Sequence, residues 1–206
     1  MNENDEVAAL RAKANAGDAE AQCRLGERYF DGQGVPQDAV EAVSWYRKAA
    51  EQGNADAQFY LGVAYYYGRG VPQDYVEAVS WYRQAAEQGG AGAQYILGLM
   101  YRDGRQGVPQ DAVEAASWWR KAAEQRHTPA QSSLGYAYYT GQGVPQDYVE
   151  SHKWFNLAAS RASAEDQKEY AENRDLLASL MTPQQIADAQ KLAREWQAAF
   201  EQRGGK

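Results

Sequence analysis

The chain is poor in the residues that build reactive centres. Its 206 residues include one cysteine, Cys23, and two histidines, His127 and His152. A lone cysteine excludes an intramolecular disulfide. A reactive thiol needs a basic neighbourhood; although Arg24 and Arg28 are near in sequence, Cys23 reads as a small helix residue. The histidines form no metal-ligand spacing with it, and both read as solvated or capping side chains. No serine has a lysine three residues on. Ser44, Ser80 and Ser117 have Arg47, Arg83 and Arg120 there, and a guanidinium stays protonated and cannot act as the base of a serine nucleophile. No glycine loop leads into a basic residue fit to hold phosphate. We therefore expect no enzyme activity, no catalytic residues, no metal and no cofactor.

Two further absences narrow the partners. No apolar run approaches the roughly 18 residues that span a bilayer, so no membrane insertion is expected. The net charge is −7, from 21 basic and 28 acidic residues, with no Lys/Arg block. Nucleic acid is not expected as a partner, because phosphate binding needs clustered positive charge. The start, Met1 to Glu6, is polar and acidic and is not a signal peptide. The sequence as given reads as cytoplasmic, or as periplasmic or secreted if an export signal has been removed.

What the chain does have is a repeat. Gly32-Gln33-Gly34-Val35-Pro36-Gln37-Asp38 returns as Gly68-Arg69-Gly70-Val71-Pro72-Gln73-Asp74, then from Gly104 to Asp111 with one extra residue, and again as Gly141-Gln142-Gly143-Val144-Pro145-Gln146-Asp147. A period between 20 and 50 residues marks stacked supersecondary units rather than one closed core. Six Trp and fifteen Tyr suit the half-exposed positions of such a thin structure, being large apolar bodies with a polar handle.

Each unit reads as helix, loop, helix. In the first helix Ala21, Gln22, Leu25, Gly26 and Tyr29 recur as Ala57, Gln58, Leu61, Gly62 and Tyr65, as Ala93, Gln94, Leu97, Gly98 and Tyr101, and as Ala130, Gln131, Leu134, Gly135 and Tyr138. The Ala, Leu and Tyr fall on one helical face. A mid-helix glycine costs roughly 1 kcal/mol against alanine, so its recurrence points to close approach of a neighbouring helix. Gly32, Gly68, Gly104 and Gly141 can take the left-handed conformation that ends a helix. Asp38 with Glu41, Asp74 with Glu77, Asp111 with Glu114 and Asp147 with Glu150 have capping-box spacing, so these paired acids read as caps and not as catalytic carboxylates. Trp45, Trp81, Trp118 and Trp154 form a recurrent column on the second helix that reads as core packing.

This pattern, Ala-x-Ala-Gln-x-x-Leu-Gly-x-x-Tyr, then Gly-x-Gly-Val-Pro-Gln-Asp, then Ala-x-x-Trp-Tyr-x-x-Ala-Ala-Glu-Gln-Gly, resembles the Sel1-like repeat, a relative of tetratricopeptide repeats. The resemblance covers about residues 19 to 161. It implies an all-α, right-handed α-α superhelix, or solenoid, of antiparallel helix pairs. It also implies a non-enzymatic adaptor or scaffold, of a kind common in bacteria, that binds a protein or peptide in its concave groove. Self-association as a structural protein is the alternative, and a β-lactam-binding or hydrolysing role a more distant one. The disulfide-stapled branch of the family does not fit, since the paired cysteines are missing.

The expected organisation is a capping helix in 1–18, repeats at 19–54, 55–90, 91–127 and 128–163, and a helical extension at 164–206. Repeat three ends irregularly in Arg126-His127-Thr128-Pro129, with Pro129 at a helix entry where its missing N–H does no harm. In the extension, Thr182-Pro183-Gln184-Gln185 should start a helix whose apolar face is Ile186, Ala189, Leu192, Ala193, Trp196 and Phe200. It serves as a cap, or as a docking or dimerising helix; the chain is expected to be a monomer or weak dimer.

By resemblance to tetratricopeptide repeats, the groove is lined by first-helix residues between the recurrent ones. These are Glu20, Cys23, Glu27, Phe30 and Asp31 in repeat one, and Asp56, Phe59, Val63, Tyr66 and Tyr67 in repeat two. Repeat three supplies Tyr95, Leu99, Arg102 and Asp103, and repeat four Ser132, Tyr136, Tyr139 and Thr140. The aromatics among them form a stripe suited to peptide recognition. The acids of repeat one would favour a basic residue in the partner.

Overall fold

The computed structural model describes residues 3–104 and 107–204. Every regular element among them is an α-helix: α1 (Glu3–Asn15), α2 (Ala19–Asp31), α3 (Ala39–Glu51), α4 (Ala55–Tyr67), α5 (Tyr75–Glu87), α6 (Ala91–Asp103), α7 (Ala112–Glu124), α8 (Thr128–Thr140), α9 (Tyr148–Ala159), α10 (Ala164–Ala178) and α11 (Pro183–Gln202). Part of the third loop, with its extra residue, lies outside the described residues. The chain forms two compact units, Met1–Leu97 with Gly104–Pro109, and Gly98–Asp103 with Gln110–Lys206; α6 begins in the first and ends in the second.

The loop residues set the helix ends. Gly32, Gly68 and Gly141 follow α2, α4 and α8 in the left-handed conformation, with φ of 73°, 67° and 73°. The loop glutamine then turns back. Gln37, Gln73 and Gln146 each donate to a late carbonyl of the helix just completed, on Phe30, Tyr66 and Tyr139, at 2.8 Å. Asp38, Asp74, Asp111 and Asp147 cap the second helices, accepting from backbone N–H groups at 2.9–3.1 Å. The accompanying glutamates correct the capping-box expectation. Glu41, Glu114 and Glu150 instead accept from the indole N–H of Trp45, Trp118 and Trp154, one turn on, at 3.0, 2.9 and 3.1 Å. The reciprocal box occurs at Thr182 and Gln185, opening α11.

The recurrent first-helix residues do three jobs. Leu25, Leu61, Leu97 and Leu134 are fully buried. The recurrent glycines take an aromatic ring from the following helix: Tyr46 lies on Gly26, Tyr82 on Gly62, Trp119 on Gly98 and Phe155 on Gly135. Without a Cβ, the ring can lie against the helix backbone. The recurrent glutamines are buried, and their amides reach back to the preceding helix. Gln22, Gln58, Gln94 and Gln131 donate to the carbonyls of Ala14, Ala50, Ala86 and Ala123 at 3.0, 3.3, 3.0 and 3.2 Å. Each of these carbonyls also accepts from a backbone N–H just past its helix, that of Gly17, Gly53, Gly89 or Arg126, at 2.9–3.1 Å, so the amide adds a second bond and ties each repeat to the helix before it. The recurrent tyrosines make a second joint, with Arg11, Arg47 and Arg120 donating to the hydroxyls of Tyr29, Tyr65 and Tyr138 at 2.7, 2.8 and 2.6 Å.

The second unit contains the irregular turn. Arg126 has φ of 68°, the one non-glycine with positive φ among the described residues; Gly17, Gly53 and Gly89 hold the corresponding places with φ of 95°, 86° and 97°. His127 caps α8 through Nδ1, which accepts from Ala130 N–H at 3.3 Å, and Pro129 lies in the first turn, as expected. Arg126 reaches α11: Nη2 donates to Gln197 at 3.1 Å, and the guanidinium lies 4.7 Å from the Phe200 ring centre. α11 buries Ala189, Ala193 and Phe200, with Trp196 edge-on to Trp154 at 5.8 Å. Leu192 departs from the expected apolar face and is exposed, as are Leu176 and Leu180, while Leu177 is buried.

Candidate functional site

Within the first unit, α1, α2, α3 and α4 surround a cavity of about 790 Å³. Its apolar wall comes from Phe30, Tyr46, Phe59, Tyr60 and Val63, and its rim carries Glu6, Glu27 and Asp31 beside Arg24, Arg28 and Arg69. Local sequence explains the wall. Tyr46 is fixed by Gly26 and stacks on Tyr60 at 5.0 Å. Phe59 meets Tyr60 edge-on at 5.9 Å and Tyr82 at 5.6 Å. The Arg69 guanidinium lies 5.7 Å from the centre of Phe30 and 5.3 Å from that of Tyr67. Tyr60 is hydrogen-bonded to Glu27; burial first, and then that bond, push its phenol pKa up. A cavity of this size with an aromatic wall and a few polar groups has the makeup of a ligand site.

Glu27, Phe30, Asp31, Phe59 and Val63, expected in the groove, are brought together around this cavity. Glu20 lies outside it and pairs with Arg24 at 2.8 Å. With three arginines lining the cavity, the acidic end anticipated from Glu20, Glu27 and Asp31 is charge-balanced. Asp56 and Tyr67 are exposed, and Tyr66 and Tyr95 half-buried; Tyr66 packs edge-on against Tyr67 at 4.8 Å and Tyr75 at 5.2 Å. In the second unit, Arg102 pairs with Asp103, Leu99 and Ser132 are half-buried, and Tyr136 is exposed. Tyr139 lies 6.3 Å from Tyr136 and 6.0 Å from Tyr148. Tyr60 was missed. Its repeat-one counterpart is Arg24 and its repeat-four counterpart Ser133, so no recurrence marks the position.

Two expectations are corrected. Cys23 is not a groove residue. It is buried among Ala42, Val43, Tyr46 and Leu61, and burial, reinforced by the nearby charge of Glu27, raises its thiol pKa to about 12. His152 is neither solvated nor capping. It is buried in α9, its Nδ1 has no hydrogen-bond partner among the described residues, and its pKa is lowered by burial and then by Arg174. Ser44, Ser80 and Ser117 are exposed. No group of three or more His, Cys, Asp or Glu among the described residues could hold a metal ion, and no described helix is long and apolar enough to cross a membrane.

The Sel1 repeat profile matches residues 19–54, 55–90, 91–127 and 128–163. Among solved structures, the crystal structure of a Sel1 repeat protein from Oxalobacter formigenes is similar, with 35% identity and a TM-score of 0.75 over 84% of this chain and 50% of that one. The structure of c5321, a protective antigen present in uropathogenic Escherichia coli strains, is 30% identical over 95% of this chain and 56% of its own, with a TM-score of 0.47. The secretory immunoglobulin A-binding protein EsiB of Escherichia coli O6:H1 is 45% identical over 40 residues, 19% of this chain and 8% of that protein. The chain thus spans about half the length of the Oxalobacter protein and a small part of EsiB.

Proposed function

Because the chain belongs to the Sel1 repeat family, whose members are generally non-catalytic helical scaffolds for protein–protein interaction, we propose that it is a non-enzymatic adaptor. It grips a segment of a partner protein in the first-unit cavity. One observation carries this reading: the wall of Phe30, Phe59, Tyr60 and Val63 enclosing about 790 Å³. That space admits a bulky apolar side chain, and the mixed-sign rim offers hydrogen bonds to the flanking backbone and to side chains of either sign. Anchoring an aromatic or aliphatic residue in a pocket ringed by polar groups is how most peptide affinity is generated.

The test begins with peptides selected from a random library on the wild-type protein. Their affinities for Val63→Asp and Phe30→Ala are then measured by fluorescence anisotropy, with helicity checked by circular dichroism. A loss of at least about tenfold in both variants is expected, the scale of a hot-spot contact. Unchanged binding by folded variants would remove the cavity from the reading. A Tyr66→Ala, Tyr95→Ala, Tyr139→Ala variant asks the same of the aromatic stripe. A second reading, self-association, is favoured by Leu176 and Leu180, which are 61% and 52% exposed. A dimer by light scattering that Leu176→Glu with Leu180→Glu dissolves would establish it.

A further inference from the structure

A second cavity, of about 580 Å³, lies wholly in the second unit, between the irregular turn, the end of α9 and the middle of α11. Three arginines line it: Arg126, Arg161 and Arg194. Its one carboxylate, Glu201, accepts a hydrogen bond from the Gln197 amide, whose oxygen in turn accepts from Arg126. None of the three guanidiniums has a carboxylate partner among the described residues. The chain carries a net charge of −7, whereas this cavity sets three arginines against one carboxylate. Asn156 and Ser160 add polar groups, and Leu157, Ala193 and Ala198 an apolar floor.

Helix dipoles account for part of this. Arg126 and Arg161 each follow the last turn of a helix, α7 and α9, where a cation faces the unsatisfied carbonyls favourably. Arg194 is different. It stands inside α11, away from both ends, and no dipole calls for it. The conformation of Arg126 is also costly. A non-glycine residue in the left-handed region loses roughly 1–2 kcal/mol, where the other turns use glycine.

We propose that this cavity binds a phosphate group, either as the free anion or carried on a small organic residue such as a phosphoserine side chain. Guanidinium forks match phosphate oxygens in bidentate geometry. A dianion with three or more acceptor oxygens can engage three such forks, whereas a carboxylate has only two oxygens to offer. The apolar floor would receive the carrier. The site is in the other unit from the peptide cavity, so either assignment can fail alone.

The experiment is isothermal titration calorimetry of the full chain with inorganic phosphate and with O-phosphoserine, at low salt and at 150 mM salt, where exposed charges are screened over about 8 Å. The variant is Arg161→Gln with Arg194→Gln; both side chains are exposed, so the fold is not at risk. The charge-matched control is Lys168→Gln with Lys191→Gln, exposed residues outside the cavity. Binding with Kd of about 1 mM or tighter, weakened at least tenfold in the arginine pair and kept in the lysine pair, supports the site. Phosphoserine binding more tightly than phosphate assigns the organic carrier, and equal affinities assign the free anion. Three results overturn the proposal: no binding of either probe, binding that survives in the arginine pair, or binding lost equally in the lysine pair. A lower melting temperature of the arginine pair without any phosphate binding leaves Arg161 only its helix-end role and Arg194 a structural one.

Discussion

Replacing three of the recurrent glycines, Gly62, Gly98 and Gly135, by alanine yields a graded series whose order follows from the structure. Alanine gains roughly 1 kcal/mol of helix propensity over glycine. Against this stands the ring lying on the glycine. A Cβ on Gly62 would come 2.6 Å from Tyr82 Cδ1 and 2.7 Å from Cε1. Tyr82 is 2% exposed and braced by Phe59, so the ring cannot retreat, and overpacking of this kind costs about 1–3 kcal/mol. On Gly98 the new atom would fall inside the indole of Trp119, which is also buried. On Gly135 it would stand 3.2–3.3 Å from Phe155, a contact that a shift of a few tenths of an ångström relieves. Gly135→Ala should therefore leave stability within about 0.5 kcal/mol of wild type, the propensity gain offsetting mild crowding. Gly62→Ala should lose up to about 2 kcal/mol, and Gly98→Ala at least as much, or up to about 8 °C in Tm at 2–4 °C per kcal/mol for a chain of this length. The assays are thermal melts by circular dichroism and urea midpoints. If Gly135→Ala were the least stable of the three, or Gly62→Ala more stable than wild type, ring-on-glycine packing would not be why glycine recurs.

Three further outcomes are expected. Burial lowers the pKa of both His127 and His152, so the unfolded chain takes up protons first; the stability held above about pH 6.5 is lost as pH falls through the depressed folded values. Urea midpoints should drop from pH 7.5 to 5, and His127→Asn with His152→Leu should flatten that slope. Arg126→Gly should be more stable than Arg126→Ala by about 1 kcal/mol in urea, because both lose Gln197 and Phe200 but only glycine relieves the positive φ. Gln58→Leu should cost about 1–3 kcal/mol in urea measurements, since it removes two hydrogen bonds, the one it donates to the Ala50 carbonyl and the one it accepts from the Gln88 amide, each worth about 0.5–1.5 kcal/mol.

The repeat, its helices, the aspartate caps and the role of the glycines were legible because each recurs at fixed spacing and is decided within one unit. What escaped depends on a neighbour. Glu41 stands three residues after Asp38 and four before Trp45, and both partners are within a helix turn's reach; spacing cannot say that the indole wins. Cys23 shares its register position with Phe59 and Tyr95, yet it is sealed by α3 and α4. His152 faces Arg174 and Asp175 of α10, an element outside the repeat. The charge of the groove was misjudged because the acids were read without the arginines beside them: Arg24 and Arg28 share α2 with Glu27 and Asp31, and Arg69, from the loop after α4, joins them around the cavity only in the fold.

The glutamine joint makes the array a grammar with one-sided agreement. What each unit receives is a main-chain oxygen, on Ala14, Ala50, Ala86 or Ala123, and every residue type carries one. The demand for a particular side chain rests wholly on the incoming unit, which brings its own glutamine. As far as this joint goes, a unit can be copied or dropped without a compensating change next door; the arginine–tyrosine joint asks for a match on both sides, which any copied unit carries with it. The closing joint is matched on both sides too, but by residues that do not recur. Arg126 meets Gln197 and Phe200 side chain to side chain, so the ending must be inherited together with the unit that bears its match.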